Sequence, residues 1–326
     1  MKKKLLSFLV AHCLFFLVFP GLLWGQAKAG EPALSAGHSG SVSSLAFSSN
    51  DKVLYSISGN DSTLRSWDAA SGAALSVKTV QGRDWGSSSD GAALKAVLYS
   101  KYSLVVIDLK TGEMIGGVSH PVGGPSIMAY AISPDWTRAL TSERGGAAIL
   151  WDLKTGKEIT RKRVHPREAV EGFVFIKNGS AALCSLGLLG SSVWNFSTGE
   201  VIDQALRTKL SRIQGVPSNS GTDLILGVRY GKSIECWDIL KGILEDKPLV
   251  ILDGSAEDSV SISVSSDGSL AAAGYKSGAV RLWRLADGSQ VAELKTMDSE
   301  VSALAFSTDG KRLATGVGAR TARCGR

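Results

Sequence analysis

The sequence predicts an all-β fold assembled from one four-stranded antiparallel unit repeated along nearly the whole chain. Three observations predict it. Six stretches end alike, as LRSWD, LVVID, AILWD, SSVWN, IECWD and VRLWR; their anchors Trp67, Ile107, Trp151, Trp194, Trp237 and Trp283 are spaced 40, 44, 43, 43 and 46 residues apart. Each anchor is followed by a short turn carrying glycine: Gly72, Gly112, Gly156, Gly199, Gly242 and Gly288. Each is preceded by an apolar run and, before that, by a turn of another kind: SND, SDG, PDW, KNG, NSG and SDG, with a seventh, TDG, at Asp309-Gly310. Asn/Asp-Gly pairs supply the positive φ of tight hairpins, and 37 glycines against 8 prolines suit many short strands and turns.

Taken in order, a unit reads as strand, hairpin, strand, short loop, strand ending at the tryptophan, glycine turn, strand. Runs such as VSALAFS and RLATGVG carry the β-branched and small apolar residues of inner strands. Four strands in about 40–45 residues make one blade of a β-propeller. Such a blade cannot bury both faces alone, so it stacks on its neighbours, and the large indole fills the space between blades. The units fall near residues 37–76, 77–117, 118–160, 161–203, 204–245 and 246–294, with a partial one at 295–326. The expectation is a seven-bladed propeller of four-stranded blades, the last incomplete at its C-terminal end.

The first 29 residues stand apart. Lys2, Lys3 and Lys4 precede an apolar run from Leu5 to Phe19, Pro20 and Gly21 break it, and Ala27-Lys28-Ala29 follows. A basic segment, an apolar segment and a small-x-small site make a secretory signal. We expect cleavage after Ala29 and a periplasmic or extracellular protein; the alternative is membrane anchoring by residues 5–23. Loss of Lys2, Lys3, Lys4 and Lys28 lowers the net charge from +6 to +2. The basic balance is then no argument for nucleic acid, and no nucleic-acid partner is expected.

At this point the chain resembles the WD-repeat family, over about residues 31–326. Its most specific marks are GHSGSVSSLAFS…LRSWD in the first unit and ILWDLKTGKEI in the third. The others are degenerate: Ile107-Asp108, Trp194-Asn195 and Trp283-Arg284 replace the Trp-Asp pair. The resemblance implies a His–Ser/Thr–Asp–Trp hydrogen-bond set, for which only the first unit offers all four residues, as His38, Ser58, Asp61 and Trp67. It also implies that an N-terminal strand closes the ring, so residues 32–36 are expected beside a third strand near 319–324. The tail GARTARCGR aligns with the family's …DGTIRLWD so that Cys324 and Gly325 fall on Leu and Trp. Cys-Gly is what Leu-Trp becomes when CTG TGG loses its first base, which reads as a frame slip or truncated gene; the alternative is a short natural strand.

Catalytic chemistry is not signalled. GxSxG, HExxH, GxxxxGK[ST] and DxDxDG are missing. DLKTGE and DLKTGK resemble the repeat of quinone-dependent dehydrogenase propellers, but the chain has neither their length nor their vicinal cysteine pair, and the string reads as a turn. No enzyme activity, cofactor or metal is expected. His38, His120 and His165 enter equivalent inner strands, which suits loop capping rather than a metal. Cys184 and Cys236 sit in apolar runs as small buried hydrophobes. RKRVHPR, residues 161–167, reads as a solvated loop.

What remains is a binding surface on loops. On the end formed by the inter-blade and second-to-third-strand loops lie Trp85, Arg144, Arg167, Arg229, Tyr230, Tyr275 and Lys276. Aromatic and Arg side chains are those enriched at protein contacts. The leading expectation is an exported, non-catalytic monomer that binds a protein or peptide partner. The alternatives are a sensor or scaffold module of a longer polypeptide continuing past residue 326, and a quinone-dependent dehydrogenase.

Overall fold

A computed structural model describes residues 14–18, 37–79, 84–89, 94–108, 113–166, 168–186, 189–206, 210–216, 224–229, 233–238, 247–253, 259–295 and 299–318. Among them lie seven antiparallel sheets. A first strand, β1 (Leu14–Val18), precedes them. Sheet one holds β2 (Ser44–Phe47), β3 (Val53–Ser58), β4 (Thr63–Asp68) and β5 (Ala74–Thr79); sheet two β6 (Asp84–Ser89), β7 (Leu94–Tyr99), β8 (Ser103–Asp108) and β9 (Met114–Ser119). Sheet three holds β10 (Ile127–Ile132), β11 (Arg138–Glu143), β12 (Ala147–Asp152) and β13 (Glu158–Arg163); sheet four β14 (Gly172–Ile176), β15 (Ala181–Ser185), β16 (Ser191–Asn195) and β17 (Val201–Leu206). Sheet five holds β18 (Leu210–Val216), β19 (Leu224–Arg229), β20 (Ser233–Asp238) and β21 (Val250–Asp253); sheet six β22 (Ser259–Val264), β23 (Leu270–Tyr275), β24 (Ala279–Arg284) and β25 (Gln290–Lys295). Sheet seven has β26 (Val301–Phe306) and β27 (Arg312–Val317), with β1 on the far side of β27. The expected repeat limits at 76, 117, 160, 203 and 294 fall inside β5, β9, β13, β17 and β25.

The fold is an all-β propeller. First strands of successive sheets pack together, β2 on β6, β10 on β14, β14 on β18, β18 on β22 and β22 on β26, and β26 returns to β2. The second and third strands of sheet three, β11 and β12, and the second of sheet four, β15, are almost wholly buried, whereas β5 is exposed along its length. The wedge positions explain the packing. Trp67, Trp194, Trp237 and Trp283 are 0–1% exposed and Trp151 is 6%. Each lies in a cluster with the preceding sheet: Trp67 with Ala303, Ala305 and Ala314 of sheet seven, Trp151 with Val97, Leu104 and Val106 of sheet two. Trp194 meets Leu140, Ala148 and Leu150, Trp237 meets Ala181, Leu183 and Val193, and Trp283 meets Leu226, Ile234 and Cys236. Each indole removes roughly 150–250 Å² from water, so these wedges dominate the cohesion between sheets.

The second family of turns behaves as expected. Gly268 and Gly310 take positive φ, 69° and 67°, at the third position of SDG and TDG. Sheet three places Trp136 there, at φ 59°. A left-handed bulky residue is disfavoured by about 1–2 kcal/mol, and Trp136 offsets this by packing against the cluster between sheets two and three, with the Lys95 ammonium 4.9 Å from its ring. Sheet one uses Asp51 (φ 57°) as a latch to sheet seven. Its carboxylate accepts from the Thr308 amide (2.7 Å), the Thr308 hydroxyl (2.8 Å) and the Asp309 amide (3.0 Å). Arg312 donates back to the carbonyls of Asp51 (2.6 Å) and Ala69 (3.3 Å).

The N-terminal segment on the last sheet is Leu14–Val18, in register Leu14↔Gly316 through Val18↔Arg312. The expected pairing of 32–36 with 319–324 lies outside the described residues. LFFLV, legible as the core of a signal, is also rich in aromatic and branched residues that suit a strand. The RKRVHPR run is not a loop throughout: Arg161, Lys162 and Arg163 belong to β13.

Candidate functional site: a loop-bearing end built on buried hydrogen-bond sets

The turns between second and third strands and the connections between sheets meet at one end of the propeller. In sheets one, three and five a buried polar set lies beneath the turn. In sheet one, His38 is 4% exposed. Its Nε2 lies 2.7 Å from Ser56 Oγ and its Nδ1 3.0 Å from Asp61 Oδ2. The Trp67 indole N–H donates to the same Ser56 hydroxyl at 2.8 Å. The serine is therefore Ser56, not Ser58, whose hydroxyl is buried without a hydrogen-bond partner. Both serines face the same side of β3, and register decides between them. Trp67 pairs with Leu54, so Ser56 is its diagonal neighbour, while Ser58 stands opposite Thr63.

This register rule holds in other sheets. In sheet three, Trp151 pairs with Ala139, and Thr141, two residues on, accepts from Trp151 Nε1 at 2.8 Å and lies 2.9 Å from His120 Nε2. The loop aspartate is replaced by Gly145, yet a carboxylate is still present: Glu143 places Oε1 3.3 Å from His120 Nδ1 and takes an ion pair from Arg161 at 2.9 Å. Gly146 (φ 84°) is required in its turn because a Cβ there would lie 2.0 Å from the His165 carbonyl of the crossing to sheet four. In sheet five, Trp237 pairs with Ile225, which puts Gly227 at the hydroxyl position. Glu235, directly across from Gly227, accepts the Trp237 N–H at 3.0 Å and is held by Ser233 (2.6 Å) and Arg229 (3.4 Å). In sheet four, Trp194 pairs with Ala182 and the hydroxyl position is Cys184. A thiol is a weak acceptor, and Trp194 Nε1 is buried without a partner.

The titration behaviour follows from burial. Desolvation pulls the His38 and His120 imidazoles below 6.5, although Asp61 and Glu143 work in the opposite direction. Burial alone would raise the Asp61 carboxyl, but hydrogen bonds from Thr63, His38 and the Ser39 amide together hold it below the ordinary value. Burial pushes the Cys236 thiol up to about 12 and raises that of Cys184 as well, so neither is a nucleophile near neutrality. His165 is a loop cap, its Nδ1 accepting the Glu168 amide at 2.9 Å.

Of the residues expected on this end, Arg144 and Lys276 are exposed on the β11–β12 and β23–β24 turns. Arg229 is exposed at the end of β19, but its guanidinium is committed to the buried Glu235. Tyr275 is not a surface residue: it is 1% exposed, the last residue of β23, in the cluster around Trp283 with Arg281 stacked 4.7 Å from its ring. It shares a face with Ala271 and Ala273, and strand alternation carries it inward. Arg167 and Tyr230 lie outside the described residues, and of Trp85 only the backbone in β6 is described. Sequence reading missed Ser56, Thr141, Glu143 and Glu235; the signal that finds the first two is the offset of two from the residue paired with each tryptophan.

The sheets and their ring of wedges define the class of protein, a β-propeller. The family model described as WD domain, G-beta repeat, matches residues 31–68, 246–284 and 288–324 of the chain. No curated protein matches the chain. Among solved structures, the WD40 repeats of RRP9 are similar at TM-score 0.68 and 17% identity, over 89% of this chain and 91% of that one. U3-55K is similar at TM-score 0.67 and 16% identity, over 89% and 92%. The computationally designed Ika8 protein is similar at TM-score 0.62 and 18% identity, over 86% and 97%. At these identities the likeness is one of fold.

Proposed function

We propose that the chain is a non-catalytic seven-bladed propeller, acting outside the cytoplasm as a scaffold for a protein or peptide partner. The seven sheets, and the return of β26 to β2, support seven blades in one ring. The observation that carries the binding role is the exposure of Arg144 and Lys276 on equivalent turns of two sheets, each standing on a buried, hydrogen-bonded or tightly packed base. A rigid scaffold with exposed loops at one end is the arrangement on which binding residues are presented. Arg144→Glu with Lys276→Glu is the appropriate test, because both side chains are exposed on their turns. Partners cross-linked to the wild-type chain in its own compartment should be lost from the double variant while its unfolding midpoint stays unchanged. Equal capture by both overturns the assignment of this end. Recovery of the protein with residues 1–29 intact in the cytosolic fraction overturns export.

A further inference from the structure

In six sheets the last strand (β5, β9, β13, β17, β21 or β25) has a neighbour on one side only. Alternate backbone N–H and C=O groups of such a strand point away from the sheet, where an added strand can pair with them. Charge sets one of the six apart. β9 (MIGGVS) carries no charged residue, β5 one lysine, β17 and β21 one aspartate each, and β25 a glutamate and a lysine. β13 (EITRKR) carries three consecutive cations and one glutamate. That glutamate is committed: Glu158 takes the Arg161 guanidinium at 3.0 Å, and Arg161 also reaches Glu143 at 2.9 Å. Lys162 and Arg163 form no ion pair among the described residues, nor do Lys154 and Lys157 on the turn that enters the strand. Asp152, at the start of that turn, accepts from the Thr155 amide and hydroxyl, both at 2.7 Å. Arg163, Lys154 and Lys157 are exposed, and Ile159, between the two groups of cations, is 51% exposed.

We propose that the open edge of β13 is a docking site for an extended acidic segment of a partner protein, which adds to sheet three as a fifth strand antiparallel to β13. The backbone of β13 supplies the hydrogen bonds, and its side chains supply the selection. Carboxylates set across from Lys162 and Arg163 make favourable cross-strand pairs, and an apolar residue covers Ile159. A basic segment meets like charge at the same positions and is refused. This flank lies apart from the loop-bearing end and uses neither Arg144 nor Lys276, so either assignment can fail while the other stands.

The probe is a dye-labelled, end-blocked peptide, Glu-Glu-Thr-Thr-Val-Thr-Glu, which antiparallel to β13 sets its residues against Arg163 back to Lys157. Fluorescence anisotropy with the full chain should show saturable binding that weakens as salt is added. Lys162→Glu with Arg163→Glu should weaken it by about tenfold, since each reversal turns an attraction into a repulsion, with the unfolding midpoint unchanged. The same peptide with proline at its third and fourth positions should not bind the wild-type chain, because one of the two lost N–H groups must face β13. Hydrogen exchange should show amides within 158–163 gaining protection from the parent peptide alone. The proline comparison uses the wild-type chain, so a misfolded variant cannot decide the result. Absence of binding overturns the proposal, and so does equal binding of the parent and proline peptides or of the wild type and the double variant. Protection of β13 by a dimer without peptide also overturns it. So does binding to phosphatidylglycerol vesicles that needs Lys162 and Arg163 and that the peptide does not displace, since the flank would then face a lipid surface.

Discussion

Cys184 stands where sheets one and three carry the hydroxyl that accepts the tryptophan N–H, and it leaves Trp194 Nε1 buried and unpartnered. Cys184→Ser supplies that acceptor without changing the backbone or adding volume. A buried donor left unsatisfied costs about 1–3 kcal/mol, and a hydrogen bond formed contributes about 1 kcal/mol net. The comparison that isolates the effect is Cys184→Ser against Cys184→Ala, because alanine removes the sulfur and leaves the indole as it was. We expect the serine variant to be more stable than the alanine variant by about 1–2 kcal/mol, on the basis of that donor penalty. For a chain of this size, with an unfolding entropy of about 0.7 kcal/mol/K, that is a difference of roughly 1.5–3 °C in midpoint. Thermal unfolding followed by tryptophan fluorescence and far-ultraviolet circular dichroism reads it. In a Trp194→Phe background, which has no N–H, the advantage of serine over alanine should vanish. Equal midpoints for the serine and alanine variants, or an advantage that survives Trp194→Phe, would refute the register argument.

Ser56→Ala should destabilise by about 2–3 kcal/mol, because it strips a partner from both His38 and Trp67; Ser58→Ala should be neutral or slightly stabilising, and urea midpoints separate the two. Arg229→Ala should destabilise by about 1–3 kcal/mol by leaving the fully buried Glu235 without its cation, whereas Arg144→Ala should stay within about 0.5 kcal/mol of wild type. The two depressed imidazoles set a pH dependence. Their folded pKa values lie below 6.5, so the unfolded chain binds protons first as the medium is acidified, and the contribution is full above 6.5 and lost as pH falls from there toward the folded values. Urea midpoints measured from pH 7.5 to 5 should fall, less so in His38→Gln. Asp61, also depressed, keeps its contribution above 3.8 and loses it only below that.

The repeat was legible because its marks are local. Trp67, Trp151, Trp194, Trp237 and Trp283 announce themselves by spacing, and each was found buried between sheets. The polar sets were less legible because they depend on which residue lies across from which. Ser56 and Ser58 have the same chemistry and the same facing, and only the pairing of Trp67 with Leu54 tells them apart. Glu143 and Glu235 could not be found by seeking a loop aspartate, since the first enters from the strand side and the second through the gap left by a glycine. Tyr275 precedes Lys276-Ser277-Gly278 and reads as part of that turn, but it is still on the strand and on its inward face.

Each wedge tryptophan leans on the sheet before it, which gives the ring a direction and also divides it. Sheet two carries Ile107 at the wedge position, and among the described residues sheet seven contributes no indole to its junction with sheet six, which is closed by Val301 and Leu313 against Ala272, Val280 and Leu282. Sheets two to six are thus riveted into one stiff arc by four indoles, and sheets seven and one into another by Trp67 and the Asp51 latch. The cohesion of the molecule is therefore of two kinds, indole wedges at some junctions and, between sheets six and seven, small apolar side chains clasped by hydrogen bonds from the Ser261 hydroxyl to the Val301 carbonyl (2.8 Å) and from the Ser266 hydroxyl to the Thr308 carbonyl (2.5 Å).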